Sequence, residues 1–271
     1  MSSPSLSSSL PPSLSSSLPP SPSPRATPPL SQQRVLITGA ASGLGRALAI
    51  AFGQAGATLA LVDINLAGLR ETAKSLPQAS LYQADLSDAT STRRMIAAVR
   101  ADHVRIDTLI HDAAYLVPQS FADCSEESWR LTFNVGIEAA YLMTKAFWAD
   151  WLRDGATAIY VSSRSGIEGF IDETAYCTTK HAIEGMVKCL GMEATLCGIM
   201  THTVTPGWYM HTPLSERLYT ADLKSKWVDP IALAPAFLYL ALRPDPTLSG
   251  QRLNAWELSE RVRNGSLCLP A

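Results

Sequence analysis

A glycine-rich turn joins an apolar strand to an amphipathic helix, and this junction constrains the fold more than any other feature. The run Val35-Leu36-Ile37 leads into Thr38-Gly39-Ala40-Ala41-Ser42-Gly43-Leu44-Gly45. Beyond it Leu48, Ala51, Phe52 and Ala55 recur at helical spacing. Glycines let the backbone approach a pyrophosphate, and a helix N-terminus offers N–H donors and the positive end of its dipole. The next apolar run, Thr58 to Val62, ends in Asp63, 24 residues after Gly39. A carboxylate there is placed to accept the ribose hydroxyls of an adenine dinucleotide. Strand, glycine turn, helix and acid in this order predict a βαβ dinucleotide-binding unit.

The rest of the chain repeats the alternation. Continuous apolar runs predict strands over 35–37, 59–62, 81–83, 108–110, 158–161, 200–204 and near 252–254. Helical spacing predicts helices over 66–76, 89–99, about 125–152, about 174–196 and 231–242. Apolar strands alternating with helices imply a mostly parallel sheet covered on both faces. Right-handed crossovers then give an α/β fold, a single doubly wound Rossmann-type domain. In such a sheet the site lies at the carboxyl ends of the strands, where Asp63, Asp85, Asp112, Ser163 and Pro206 all fall.

A second constellation carries chemistry. Tyr176 and Lys180 are four residues apart on the predicted 174–196 helix and share a face. Ser163 lies thirteen residues upstream of Tyr176, at the end of a predicted strand. A free phenol has a pKa of about 10 and exchanges protons poorly near neutrality. A neighbouring ammonium is expected to lower that pKa and make Tyr176 a general acid/base.

Together these motifs resemble the short-chain dehydrogenase/reductase family over about residues 33–254. Thr38 to Gly45 matches the family's TGxxxGxG turn, in which Gly39, Ser42, Gly43, Leu44 and Gly45 meet the cofactor. Tyr176 and Lys180 match its YxxxK pair, and Ser163 its catalytic serine. Asn134, in Phe133-Asn134-Val135-Gly136, matches the tetrad asparagine that holds a relay water for Lys180. Asp85-Leu86 matches the adenine-contacting acid and its neighbour, and Pro206-Gly207 the turn beside the nicotinamide.

Three departures from the family pattern stand out. His111-Asp112-Ala113-Ala114 replaces the usual Asn-Asn-Ala-Gly, with Asp112 and Ala113 still expected at the cofactor. Thr212 stands five residues after Gly207 rather than four. The chain end, Ser249 to Trp256, lacks the usual Asp-Gly-Gly.

The resemblance implies an oxidoreductase that moves hydride between a nicotinamide cofactor and a secondary alcohol or ketone. Asp63 would repel a 2′-phosphate, and positions 42 and 64 hold Ser42 and Ile64 rather than a basic residue. The reading is therefore NAD(H), with NADP(H) the lesser alternative. Trp208 to Trp227 is expected to form an aromatic substrate lid over the site. The altered His111 segment leaves open a non-catalytic NAD(P)-binding sensor on the same fold.

Composition narrows the setting. Residues 1–31 form a Ser/Pro tail in which Ser5 to Pro12 recurs as Ser13 to Pro20; it is expected to be disordered, leaving 32–271 as the domain. A net charge of −2 gives no basic field for nucleic acid, and no apolar run reaches the ~18 residues of a membrane span. Five cysteines without CxxC spacing, together with scattered histidines, point to reduced thiols, a cytoplasmic setting and no metal site. The apolar helices 129–148 and 182–196 predict a homodimer or homotetramer.

Overall fold

The computed structural model describes residues 26–267 except Pro244. Most of the predicted tail lies outside the described residues. Its end is held: Leu30, in the short turn Leu30–Gln32, packs against the core, and Gln33 Nε2 donates to Pro28 O at 3.0 Å.

Seven strands form one sheet in the order β3-β2-β1-β4-β5-β6-β7. They are β1 Arg34–Thr38, β2 Thr58–Asp63, β3 Ala79–Gln83, β4 Thr108–His111, β5 Ala156–Val161, β6 Ile199–Thr205 and β7 Arg252–Asn254. Every neighbouring pair runs parallel. The order reverses between β1 and β4, which opens a crevice at their carboxyl ends. All seven strands were legible in the sequence, β7 (Arg252-Leu253-Asn254) without an apolar run of its own. The predicted edges fell one to two residues short, because polar ends such as Arg34, Thr38 and His111 also join the ladder.

The helices are α1 Gly43–Gln54, α2 Leu66–Ala73, α3 Ala89–Asp102, α4 Glu126–Phe133, α5 Ala139–Asp154 and α6 Thr174–Ala194. After β6 come α7 Pro213–Leu218, α8 Ala221–Lys224, α9 Ala234–Ala241 and α10 Ala255–Arg263. The strands are apolar throughout because alternate residues feed two cores. Val35, Ile37, Leu59 and Leu61 pack with α1 and α9, whereas Leu36, Ala60 and Val62 pack with α3 and α5. Each fully buried Leu, Ile or Phe side chain contributes roughly 1.5–3 kcal/mol by leaving water. Trp151, 1% exposed, also satisfies its indole by donating to Ile106 O at 2.9 Å.

The predicted 125–152 helix is continuous in course but not uniform. Ser125 caps α4 by accepting from Ser128 N, and the turn Asn134–Glu138 widens to π geometry before α5 begins. There Gly136 lies against α6: a Cβ on it would stand 2.3 Å from Thr179 Cγ2. The lack of a side chain therefore sets how closely α6 can approach the helix that carries Asn134.

Candidate active site

The crevice is a cleft of about 1450 Å³ at the carboxyl ends of the strands. Its floor is the glycine turn. Gly39, Ser42, Gly43 and Leu44 line it. Gly45 lies beneath, where a Cβ would stand 2.3 Å from Gly39 O, so only glycine lets α1 start so close to the turn. Ser42 occupies the N-cap of α1 without using its side chain as the cap. The first turn of α1 thus presents backbone donors and its positive end to the cleft, as a bound pyrophosphate requires.

Asp63 closes β2 and lines the cleft. Its Oδ2 accepts from Ala41 N at 3.0 Å and its Oδ1 from Asn65 N at 2.9 Å, which fixes the carboxylate at the rim. Arg46, the nearest cation to that rim in sequence, does not line the cleft; it donates to Ala41 O and to Thr72 Oγ1 at 3.1 Å. Asp85 accepts from Ser87 N and Oγ at 2.8 and 2.7 Å, and buried Leu86 and Ala113 line the same end. Asp112 Oδ2 accepts from Gly45 N at 2.9 Å. Burial pushes its carboxyl up to about 6, against the pull of the Lys180 ammonium. These groups form a cradle that fits an adenine dinucleotide.

Pro206 and Gly207 follow β6 and line the cleft with Thr212. The extra residue before Thr212 does not displace it. Its Cβ faces Gly43, and its hydroxyl caps α7 by accepting from Ser215 N at 3.1 Å. The segment from Trp208 covers the cleft with Tyr209, Met210, Leu218 and Tyr219, anchored where Trp208 stacks on Trp256 at 5.4 Å.

Ser163, Tyr176 and Lys180 meet in this cleft, facing the glycine turn across it. Lys180 is 3% exposed and donates to Val161 O at 2.7 Å. Burial lowers its ammonium pKa to about 8, opposed by Asp112 and Glu184. Tyr176 departs from expectation. Burial, reinforced by the Glu173 and Asp112 carboxylates, raises its phenol above the ordinary value. These outweigh the expected lowering by Lys180, whose Nζ donates to Val161 O and lies over the Tyr176 ring, 5.3 Å from its centroid.

Ser162 and Ser163 separate cleanly. The Ser162 hydroxyl donates to Glu184 Oε1 at 2.5 Å and accepts from Arg252 Nη1 at 3.1 Å. Arg252 pairs with Glu184, and its Nη2 donates to Ser163 O at 2.8 Å. Thr203 Oγ1 donates to the other Glu184 oxygen at 2.6 Å. Ser163 lines the cleft, its hydroxyl donating to Ser165 Oγ and accepting from Ser165 N, both at 3.2 Å. Sequence reading overlooked both Arg252 and Glu184. Glu184 stands one helical turn past Lys180, and that spacing was the available signal.

Asn134 lies in the π turn. Its Nδ2 donates to Ser87 O at 2.8 Å, tying the π turn to the segment after β3. The cleft wall at this point is Val135. His111 has a structural part. It is 1% exposed; Nδ1 receives the Thr38 hydroxyl at 2.9 Å, and Nε2 donates to Val135 O and Gly136 O at 3.0 and 3.1 Å. Burial, then the Lys180 charge, lowers its pKa to about 4, so it stays neutral. His211 stands away from the cleft, stacked on Trp227 at 4.6 Å and 3.3 Å from Glu216.

Comparison with known proteins agrees with this geometry. The family model for short chain dehydrogenase matches residues 33–222. A 2-keto-3-deoxy-L-fuconate dehydrogenase of Xanthomonas campestris pv. campestris is 29% identical over 82% of this chain and 78% of its own. The dehydrogenase/reductase SDR family member 6 of Rattus norvegicus is 32% identical over 75% of this chain and 80% of its own. A crystal structure of a Beutenbergia cavernae protein, described as an NAD(P)-dependent gluconate 5-dehydrogenase with bound NADP, superposes with a TM-score of 0.77. It is 24% identical and covers 85% of this chain and 99% of its own, a likeness of fold. With seven parallel strands, a glycine turn at the switch point and Ser, Tyr and Lys facing it, the chain belongs to the short-chain dehydrogenase family of NAD(P)-dependent oxidoreductases.

Proposed function

We propose that this enzyme interconverts a secondary alcohol and its ketone with NAD(H), using Tyr176 as general acid/base. The observation that carries the reading is the convergence of Ser163, Tyr176 and Lys180 on the cleft that holds the glycine turn. The bound nicotinamide supplies or accepts the hydride. Ser163 donates to the substrate oxygen and holds it at the Tyr176 hydroxyl. Tyr176 passes the proton. Lys180 holds the nicotinamide ribose and, as a buried cation, steadies the phenolate when it forms. Asn134 serves by position, fixing the π turn behind Lys180. The aromatic segment Trp208 to Trp227 closes over the substrate and excludes water.

Asp63 at the rim, with Arg46 engaged by Ala41 O and Thr72 and not lining the cleft, supports NAD(H) over NADP(H). We further infer a homodimer or homotetramer. Met143, Ile183 and Val187 are buried in the chain's own core, whereas Tyr141, Met192 and Leu196 remain exposed and favour self-association. The described cysteines form no disulfide, and no helix among the described residues is long and apolar enough to cross a membrane; both are compatible with a reducing cytoplasmic setting.

Incubation with NAD and a panel of secondary alcohols, followed at the reduced-nicotinamide absorbance, tests the reading. Tyr176→Phe should cost about 10²–10⁴-fold in kcat and leave NAD binding in place. Retention of more than about a tenth of wild-type turnover removes Tyr176 from this role.

A further inference from the structure

Towards the lid the cleft carries a carboxylate with no ion pair among the described residues. Beyond Ser163 and Tyr176 its wall is built by Ile167, Phe170, Glu173, Tyr209 and Tyr219. Two of the three cations that line the cleft are already paired with carboxylates. Arg164 pairs with Glu168 at 2.7 Å and lies over the Phe170 ring, and Arg252 pairs with Glu184. The third, Lys180, donates to the neutral Val161 O. Glu173 is not matched in this way. Its carboxylate receives one hydrogen bond, from Ser165 Oγ to Oε2 at 2.9 Å, and no ion pair among the described residues. A carboxylate has about four acceptor positions, so most of its capacity is open to what enters the cleft. It lines the cleft together with Tyr176 and Tyr219, and its charge raises both phenols.

The lid adds the second part. Tyr209 and Tyr219 meet edge to face at 5.6 Å, and both line the cleft. Aromatic faces attract cations, and a carboxylate beside them strengthens that preference. A substrate carboxylate here would face Glu173 with like charge. A purely alkyl group would strip water from Glu173 and return nothing. An ammonium group removes both penalties at once.

We propose that Glu173 is a specificity residue and that the alcohol or ketone substrate carries an ammonium group seated on Glu173 and the rings of Tyr209 and Tyr219. This rests on the oxidoreductase reading and names the substrate class for that same site. The test uses the full chain with NAD and three secondary alcohols of one carbon skeleton, ending in a primary ammonium, an amide or a carboxylate. The expected order of kcat/KM is ammonium, amide, carboxylate. In Glu173→Gln, which keeps the shape and the Ser165 contact, the ammonium-to-amide ratio should fall about tenfold or more. In Glu173→Lys the carboxylate alcohol should overtake the ammonium one. A wild-type preference for the carboxylate, or an unchanged ratio in Glu173→Gln when that variant still binds NADH, overturns the proposal. Binding of NADH with no turnover of any of the three or of the wider alcohol panel would instead overturn the redox reading itself.

Discussion

The Tyr176 phenol sits in surroundings that keep it protonated, and the charges around it explain how it can still serve. Its oxygen is flanked by burial and by the Glu173 and Asp112 carboxylates, all of which hold the proton on. The positive group that could release it, Lys180, is buried and directed at Val161 O. In the proposed role, the Lys180 charge is what would offset these effects when a phenolate forms. Arg252 governs the other side. Its fork joins the Ser163 carbonyl to Glu184, a carboxylate only 5% exposed. Arg252→Met should destabilise the fold by about 3–5 kcal/mol, because Glu184 is left buried and unpaired. Arg252→Lys keeps the charge without the fork, so it should recover much of the stability and less of kcat. Urea unfolding and steady-state kinetics on the two variants check this. At the rim, Asp63→Ala should weaken NAD and relax discrimination against NADP by about tenfold, or ~1.4 kcal/mol. Paired titrations with both cofactors measure it, and a native preference for NADP would contradict the role given to Asp63.

Among the elements, the join between β4 and the α4–α5 helix shows how a changed motif is absorbed. The His111 imidazole spans from Thr38 on β1 to the carbonyls of Val135 and Gly136 in the π turn. Thr38 in turn accepts from Asp112 N and Ala113 N, both at 3.2 Å, so its hydroxyl must donate to the imidazole. One side chain therefore braces the strand that ends in the glycine turn against the helix that carries Asn134. His111→Ala should cost about 2–4 kcal/mol, from the cavity and from three polar groups left without their partner. Chemical denaturation would show it, and a loss under about 1 kcal/mol would mean that solvent or neighbours replace the brace. The lid has a comparable brace of its own, Trp208 Nε1 to Lys226 O at 3.0 Å, which ties its two ends together.

For the whole molecule, buried titrating groups set an acid limit. His111 and His202 each have a folded pKa near 4, lowered chiefly by burial, against about 6.5 unfolded. Between those values the unfolded chain binds more protons, so stability rises with pH through the window and is lost as pH falls below 6.5. By pH 5 each histidine should cost about 2 kcal/mol. Asp112 acts the other way. Its folded pKa, near 6, exceeds its unfolded value, so the stability linked to its proton is present at low pH and lost as pH rises through 6. Two histidines outweigh one aspartate, and Tm should fall steadily from pH 7 to pH 5. Calorimetry across that range tests the sign, and His202→Gln should flatten the slope. Light scattering at micromolar protein tests self-association, for which a single species at 29.2 kDa would be the contrary result.

Local pattern was enough to determine the strands, the main helices and the cofactor cradle. Apolar runs such as Val35-Leu36-Ile37 declare themselves because both faces of a parallel sheet are buried. The glycine turn and the Tyr176–Lys180 spacing are legible because backbone geometry at short range dictates them. Pattern reading stopped where partners come from distant parts of the chain. The Arg252–Glu184 pair joins residues 68 apart, and the Thr38–His111 contact joins residues 73 apart. The π turn at Asn134, the α10 helix behind Trp256 and the direction of the Lys180 ammonium follow from packing on neighbouring elements. Local spacing could bring a lysine near Tyr176, but only the assembled sheet decided which oxygen that lysine would meet.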